Sequence, residues 1–255
     1  MKLTGFDGTT AFVAGAAGGI GRALVAALVD SGVQVYATDR AEAVADLAPM
    51  PGVIWAALDV TDATAVDRAV AQCEAQLGPI RHGIFAAGIL GGGPLLATSI
   101  EDWRRVVDVN LNGGFCVTSA LARVMVPRKG GSIVAVGSNS ADIPRLNMGS
   151  YPASKAALHM YIRCLGLEIA PHGVRCNIVA PGSTLTPMQT GMWADERGAQ
   201  AVIGGNLALH KTGIPLGKLA TPEDIAASTM FLLSDQAGHV TMADLYVDGG
   251  ATLKA

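Results

Sequence analysis

Two side chains that can move a proton stand four residues apart, Tyr151 and Lys155, and Ser138 lies upstream of them at the end of an apolar run. On a helix, an i, i+4 spacing places both groups on one face, where the ammonium of Lys155 favours the phenolate and lowers the pKa of Tyr151. A phenol adjusted in this way can exchange a proton with an alcohol or a carbonyl compound near neutral pH. The spacing alone is weak evidence, because Tyr and Lys are common residues, so its meaning depends on the elements that position it.

The composition indicates a globular protein that does not bind nucleic acid or an anionic membrane. Of the 255 residues 50% are hydrophobic and 15% charged, and the formal net charge is −3. Such a chain can bury a large core and offers no basic surface for nucleic acid or an anionic membrane. No apolar run reaches the roughly 18 residues of a membrane helix, and no signal-type run opens the chain. We predict a single cytoplasmic domain over residues 1–255 that acts on a small molecule.

Neither the cysteines nor the histidines show metal-site spacing. We interpret the cysteines as reduced, buried packing residues and the histidines as surface or capping residues, and we predict no metal site. The residues concerned are Cys73, Cys116, Cys164 and Cys176, and His82, His159, His172, His210 and His239.

Short apolar runs alternate with helix-length segments, which predicts a doubly wound α/β sheet with mostly parallel strands and helices on both faces. The predicted strands are Thr10–Ala14, Val33–Thr38, Val53–Leu58, Gly83–Ala87, Ser132–Gly137, Arg175–Ala180 and Leu245–Val247. The predicted helices are Ile20–Ser31, Ala63–Leu77, Ile100–Val126, Tyr151–Ala170 and Pro222–Leu233. Ligands of such sheets bind beyond the carboxyl ends of the strands. We therefore predict that the irregular stretch Ser183–Leu216 is a substrate-covering lid.

A glycine-rich turn, Gly15-Ala16-Ala17-Gly18-Gly19-Ile20-Gly21, joins the first strand to the first helix. Backbone can approach a pyrophosphate there, and a helix N-terminus favours its charge. Asp39 ends the second strand, where a carboxylate accepts hydrogen bonds from ribose hydroxyls and repels a 2′-phosphate. Together they favour NAD over NADP, although the neighbouring Arg40 could accommodate a phosphate.

Two further segments follow strand ends. Asp59, next to Val60, could bind the adenine amino group, and a helix-capping role is the alternative. Ala87 and Gly88 supply small residues where a cofactor would lie close to backbone.

These residues together resemble the short-chain dehydrogenase/reductase family over essentially the whole chain, ending with Pro181-Gly182 and Asp248-Gly249-Gly250. The resemblance implies a seven-stranded Rossmann sheet, bound NAD and, commonly, a homotetramer paired through the helices near Ile100–Val126 and Tyr151–Ala170. It also implies site roles: Asn110 organises a water relay, Ser138 holds the substrate oxygen, Tyr151 moves the proton, Lys155 binds the nicotinamide ribose, and Thr184 and Thr186 lie beside the cofactor with Thr186 at its carboxamide. Where the family usually has an asparagine, this chain reads Phe85-Ala86-Ala87-Gly88, so that contact is not carried over.

The C-terminal half is similar to the subfamily that oxidises 2,3-dihydro-2,3-dihydroxybenzoate, a carboxylated cyclohexadiene diol, for siderophore assembly. Segments that carry the likeness include Pro144–Met148, Pro181–Thr184 and Gly213–Lys218. Arg145 is the candidate partner of the substrate carboxylate, with a surface arginine as the alternative. Met148, Met188 and Gln189 could complete the pocket or simply pack the lid.

Three other functions remain open. The substrate could be an amino analogue, a dihydro-3-hydroxyanthranilate, or another cyclic secondary alcohol. The chain could be a general ketone reductase that uses NADPH, which Asp39 disfavours. It could also be a nucleotide-sensing binding protein without turnover, which the set Asn110, Ser138, Tyr151 and Lys155 disfavours.

Overall fold

The computed structural model describes residues 2–193 and 195–253. Seven strands form one sheet in which every pairing is parallel. The strands are β1 (Thr10–Ala14), β2 (Gln34–Asp39), β3 (Val53–Ala57), β4 (Ile80–Phe85), β5 (Gly131–Val136), β6 (Val174–Pro181) and β7 (Asp244–Val247). Their order is β3-β2-β1-β4-β5-β6-β7. The chain reverses direction across the sheet between β1 and β4, which opens a crevice at the carboxyl ends of these strands.

Helices cover both faces of the sheet. They are α1 (Gly19–Asp30), α2 (Ala41–Val44), α3 (Ala63–Leu77), α4 (Ile100–Val107), α5 (Gly113–Met125), α6 (Tyr151–Ile169), α7 (Pro187–Thr190), α8 (Gly198–Gly204) and α9 (Pro222–Leu233). Side chains of α3, α5 and α6 form one core, and those of α1 and α9 form the other. Strand β1 serves both, because Phe12 faces the first core and Val13 the second. The predicted doubly wound sheet is confirmed.

The helix predicted over Ile100–Val126 is interrupted where it passes the site. A π-helical turn, Asp108–Asn112, separates α4 from α5. Such turns often mark functional sites, and here the turn carries the buried Asn110. Smaller differences concern β4, which begins at Ile80 and ends at Phe85 rather than running Gly83–Ala87, and the unpredicted short helices α2, α7 and α8.

The burial of some histidines and cysteines differs from the prediction. His82 and His159 are each 1% exposed, so the surface or capping interpretation is wrong for both. Cys73 and Cys176 are buried as predicted, whereas Cys164 is exposed. All four cysteines are free thiols.

In the described part of the chain, no helix combines the length and the hydropathy needed to cross a bilayer.

Candidate active site

The end of β5 and the start of α6 bring the proton-transfer residues together. Ser138 follows β5, and its hydroxyl lies 2.6 Å from that of Ser140. Tyr151 and Lys155 occupy the first and second turns of α6, with the Lys155 Nζ 5.8 Å from the centre of the Tyr151 ring. The ammonium donates a hydrogen bond of 2.9 Å to the carbonyl of Val136, the last residue of β5. The i, i+4 spacing therefore places both groups on one face, as predicted.

The acidity of the phenol differs from the expectation. Burial raises the pKa of Tyr151, and the influence that lowers it comes from the Ser138 hydroxyl rather than from Lys155. Lys155 is itself desolvated, so that burial lowers its own pKa to about 8, and its Nζ donates to a backbone carbonyl. The pKa of Tyr151 is thus raised by burial, and the hydrogen bond with the Ser138 hydroxyl opposes that rise.

Asn110 joins the π turn to the loop after β4. Its Oδ1 accepts a hydrogen bond from the backbone N–H of Ile89 at 2.8 Å, and its Nδ2 donates to the Ile89 carbonyl at 3.0 Å. The same Nδ2 donates to the Ser154 hydroxyl, which in turn donates to the Tyr151 carbonyl. Asn110 thus connects the loop after β4 to the first turn of α6 through buried hydrogen bonds.

The glycine turn has the backbone geometry that a dinucleotide requires. A Cβ on Gly15 would lie 2.3 Å from the Ala87 backbone nitrogen, and one on Gly21 would lie 2.1 Å from the Gly15 carbonyl oxygen. Side chains at these positions would collide with backbone, so the turn can approach β4 only with glycine. Gly18 gives α1 no side-chain cap, so the first N–H groups of the helix, from Gly19 and Ile20, are free of a capping side chain. An uncapped helix N-terminus of this kind fits a pyrophosphate.

Asp39 lies beside this turn. Its Oδ2 accepts a hydrogen bond from the Ala17 N–H at 2.9 Å, and its Oδ1 accepts one from the Arg40 N–H at 2.8 Å. The guanidinium of Arg40 forms an exposed salt bridge with Glu42. Arg40 is therefore an exposed side chain in this structure.

The structure excludes one of the two roles considered for Asp59, that of a helix cap. Asp59 accepts hydrogen bonds from the Thr61 N–H and hydroxyl in a local turn, and Asp62 is the residue that caps α3 through the Ala65 N–H. The helix-capping role of Asp59 is therefore wrong. Val60 is buried against Gly113, and Asp59 is exposed, two residues after the end of β3.

A cavity of about 450 Å³ opens beside Ser138, Tyr151 and Lys155. It is bounded by Ile20 and Gly88 on the nucleotide side and by residues of the predicted lid on the other. Every residue proposed for the substrate lines it, as do most of the residues proposed for the nicotinamide end of the cofactor. These are Arg145, Met148, Met188 and Gln189, and Pro181, Gly182, Thr184 and Thr186.

The charged groups of this cavity share one sign. Arg145, Lys155 and Lys211 line it, and none of the described lining residues is acidic. Burial lowers the pKa of Arg145, which shows that its cation has lost water, and the charge of Asp248 acts in the opposite direction. Within the described chain, Arg145 forms no salt bridge. A partly desolvated cation without a paired carboxylate favours an anionic ligand.

Sequence reasoning missed Lys211 and Ser140. Lys211 reaches the cavity because its backbone pairs with Asn206 in an antiparallel bridge inside the irregular stretch. No periodic pattern marks a residue placed in that way. Ser140 had a signal, since it stands two residues after Ser138 in a turn where short hydroxyl side chains commonly hydrogen-bond backbone.

Comparison with known proteins agrees with this geometry. A family model described as enoyl-(acyl carrier protein) reductase matches residues 15–252. The 2,3-dihydro-2,3-dihydroxybenzoate dehydrogenase of Bacillus subtilis is 46% identical over 259 residues, which cover 99% of each chain. This chain belongs to the short-chain dehydrogenase/reductase family. The vibriobactin-specific 2,3-dihydro-2,3-dihydroxybenzoate dehydrogenase of Vibrio cholerae is 41% identical over 99% of each chain. The ligand-free aldohexose dehydrogenase of Thermoplasma acidophilum has the same fold, with a TM-score of 0.87, 28% identity and coverage of 100% of this chain and 98% of that one.

Membership of this family makes the chain an oxidoreductase that uses a nicotinamide cofactor. Three features of the structure fit such a cofactor. They are the uncapped N-terminus of α1, the glycines at which a Cβ would collide with backbone, and a cavity that reaches from Ile20 to Tyr151. The residues described here contain no cluster of His, Cys, Asp or Glu able to hold a metal ion.

Proposed function

We propose that this enzyme oxidises 2,3-dihydro-2,3-dihydroxybenzoate to 2,3-dihydroxybenzoate with NAD, in siderophore or related secondary-metabolite biosynthesis. One observation carries the proposal: the Ser138, Tyr151 and Lys155 cluster opens into a cavity whose described charged lining is cationic throughout. A carboxylated ring alcohol needs both features. The two dehydrogenases at 41% and 46% identity are named for this substrate.

In the proposed reaction, a nicotinamide cofactor would supply the acceptor for the hydride of the carbinol carbon. Tyr151 takes the hydroxyl proton, Ser138 donates a hydrogen bond to the oxygen as it becomes a carbonyl, and Lys155 holds the ribose and hands the proton on. Asn110 would organise the water relay that carries this proton away. The resulting ketone tautomerises to an aromatic ring, so the chemistry of the substrate itself favours the oxidation direction.

The ring carboxylate is placed between two cations in this proposal. Arg145 lies on the loop between β5 and α6, and Lys211 lies on the predicted lid across the cavity. Met148 and Met188 supply adaptable apolar surface for a flat ring, and Gln189 supplies an amide for a hydroxyl or the acid. A neutral sugar, as the name of the aldohexose dehydrogenase implies, would leave both cations without a partner.

NAD rather than NADP is proposed because Asp39 brings a carboxylate to the glycine turn, where it would repel a 2′-phosphate. The salt bridge between Arg40 and Glu42 supports this choice, since it occupies the guanidinium of the residue next to Asp39. Four further predictions belong to the same proposal. They are the adenine contact of Asp59, a single domain with a moving lid over 183–216, a cytoplasmic location and a homotetramer.

The test is a comparison of substrates. NAD reduction is followed by absorbance with the carboxylated diol, with the corresponding dihydro-3-hydroxyanthranilate and with a neutral cyclohexadiene diol, and then with NADP in place of NAD. We expect the carboxylated diol with NAD to give the highest kcat/KM. Tyr151→Phe should lower kcat by about a hundredfold or more, because a general base is lost, while NADH binding stays intact. NADH binding without turnover of any ring alcohol would instead support a nucleotide-sensing protein.

A second experiment separates binding of the acid from the chemistry. Arg145→Gln should raise KM for the carboxylated diol by about tenfold or more, since a charge-assisted hydrogen bond is lost, and should change kcat little. Lys211→Gln should act in the same direction. The neutral diol is the control, because its KM should not respond to either substitution. Equal effects on the two diols would contradict the assignment of the acid to these cations.

A further inference from the structure

We propose that His159 is a positioning residue for Ser138, held in one tautomer by Asp244, an inference that rests on the proposed catalytic role of Ser138. This histidine had no role in the site predicted from the sequence. Its imidazole lies on the same face of α6 as the reacting groups, because Tyr151, Lys155 and His159 follow one another at four-residue spacing.

The first observation concerns the backbone of Ser138. The N–H of Gly137 donates to the Val179 carbonyl at 2.7 Å, which is the last bond from this part of the chain to β6. The following N–H, that of Ser138, is buried and donates to the His159 Nε2 at 3.2 Å. Buried backbone N–H groups need an acceptor, and here a side chain supplies it at the point where the chain leaves the sheet.

The second observation concerns the other ring nitrogen. His159 Nδ1 lies 3.2 Å from the Asp244 Oδ2, and the imidazole is 1% exposed. An Nε2 that accepts from an N–H cannot carry a proton in the same neutral ring, so the proton is on Nδ1, where the Asp244 carboxylate accepts it. Arg163 also pairs with Asp244 and keeps this carboxylate ionised beside the ring.

The third observation is the space left for the ring. A Cβ on Gly137 would lie 2.0 Å from the His159 Nε2. Only glycine at this position lets the imidazole come close enough to hold the next residue. A connected series of contacts thus runs from the Asp244 carboxylate on β7 through His159 to the Ser138 backbone. Gly137 leaves the space that it needs.

The consequence is a fixed position for the backbone that carries the Ser138 hydroxyl. Lys155 donates a hydrogen bond to the carbonyl of Val136, and His159 accepts one from the N–H of Ser138. Two side chains of α6 therefore hydrogen-bond the backbone on both sides of Gly137. A donor to a developing carbonyl works only if it is already aimed, and displacement by about 1 Å can cost about a hundredfold in rate. Such a residue acts through Ser138 and touches neither substrate nor cofactor in this scheme.

The kinetic test uses three variants of the full-length enzyme. His159→Leu removes the acceptor and should lower kcat for the carboxylated diol by about tenfold to a hundredfold, with the Kd for NADH unchanged within about twofold. His159→Gln, whose amide can accept from Ser138 and donate to Asp244, should recover most of the loss. Ile169→Ala is the control for stability, because it removes buried volume at the far end of α6 and should leave kcat near the wild-type value.

A spectroscopic readout covers the case in which His159→Leu does not fold. In wild-type enzyme labelled with ¹⁵N-histidine, the His159 signals, assigned by their loss in His159→Gln, should show a protonated Nδ1 and an unprotonated Nε2. A protonated Nε2 overturns the inference, and so does a kcat for folded His159→Leu within about twofold of wild type. The tautomer is read without substrate, so failure of the proposed function, seen as no turnover by the wild-type enzyme, is distinguished from failure of this inference.

Discussion

At the scale of single residues, the chemistry depends on how a buried phenol is made to give up its proton. Desolvation raises the pKa of Tyr151, whereas the Ser138 hydroxyl lowers it. The same hydroxyl is placed to donate to the substrate oxygen. Ser138 has a single hydroxyl proton, so in the proposed reaction it acts on the base in the free enzyme and on the developing carbonyl once substrate is bound.

Removal of this hydroxyl should show both effects. Ser138→Ala should lower kcat by about a hundredfold, the cost of one donor at a developing oxyanion. It should also displace the pH profile of kcat/KM to higher pH. Oxidation needs the deprotonated Tyr151, so the rate rises with pH through the pKa of Tyr151, and loss of the group that lowers this pKa moves the rise upward.

The measurement is the initial rate of NAD reduction across pH in wild type and variant. Ser140→Ala is the matched control, since it removes the neighbouring hydroxyl 2.6 Å away and leaves Ser138 in place. We expect a smaller rate loss and no displacement of the profile for this control. A profile in Ser138→Ala that coincides with wild type would show that another group sets the acidity of the phenol.

At the scale of elements, α6 is the element that assembles the site. It buries Tyr151, Lys155 and His159 against the end of β5, and Asn110 of the π turn reaches its first turn through Ser154. An ionisable ammonium buried in this way should cost stability. Desolvation lowers the pKa of Lys155 to about 8 from the model-peptide value of 10.5, so the folded protein loses this proton before the unfolded chain does.

The pH dependence of stability follows from this difference. Between pH 8 and 10.5 the unfolded state binds the proton and the folded state does not, so the stability contributed by this group rises with pH. In Lys155→Met that dependence is absent. We expect the free energy of unfolding of wild type, relative to this variant, to fall by about 2 kcal/mol as the pH is lowered from about 10 to 8, and to level off below that.

Denaturant unfolding of both proteins at several pH values checks this expectation. The hydrogen bond to Val136 is also lost in the variant, but that loss is an offset that does not vary with pH. Lys218→Met, at an exposed position, is the control for removing a lysine. A difference between wild type and Lys155→Met that stays constant with pH would contradict the burial of a titrating ammonium.

The elements also show where sequence reasoning succeeds and where it ends. Helices α3 and α9 begin and end where the sequence pattern predicts, and in the structure Asp62 and Thr221 cap their first turns. The π turn at Asn110 has no such signal, since a helix can absorb an extra residue without any change of composition. Likewise, Lys211 reaches the cavity through tertiary packing, which periodicity does not encode, whereas the four-residue spacing along α6 was a signal for His159 that sequence reasoning did not use.

At the scale of the whole molecule, the sheet order places every proposed group at one edge. Three segments that carry proposed groups follow the carboxyl ends of neighbouring strands: the turn after β1, the loop after β4 and the segment after β5. The residues proposed for the nucleotide and those proposed for the substrate therefore meet where the strand order reverses. This juxtaposition was predictable from the alternation of strands and helices. The covering of the cavity was predictable only in outline, because the Ser183–Leu216 stretch takes its shape from two short helices and an isolated bridge.

The outer faces of α5 and α6 lead to a prediction about assembly. Phe115, Met160 and Leu167 are 50%, 56% and 66% exposed on these two helices, which is apolar surface that a second copy could cover. We expect light scattering to give a mass of four times the chain mass of 26.0 kDa. Met160→Glu should lower that mass, because a charge would be buried in the contact, whereas Met50→Glu, away from these helices, should leave it unchanged. A single-chain mass for wild type would show that these side chains stay in water.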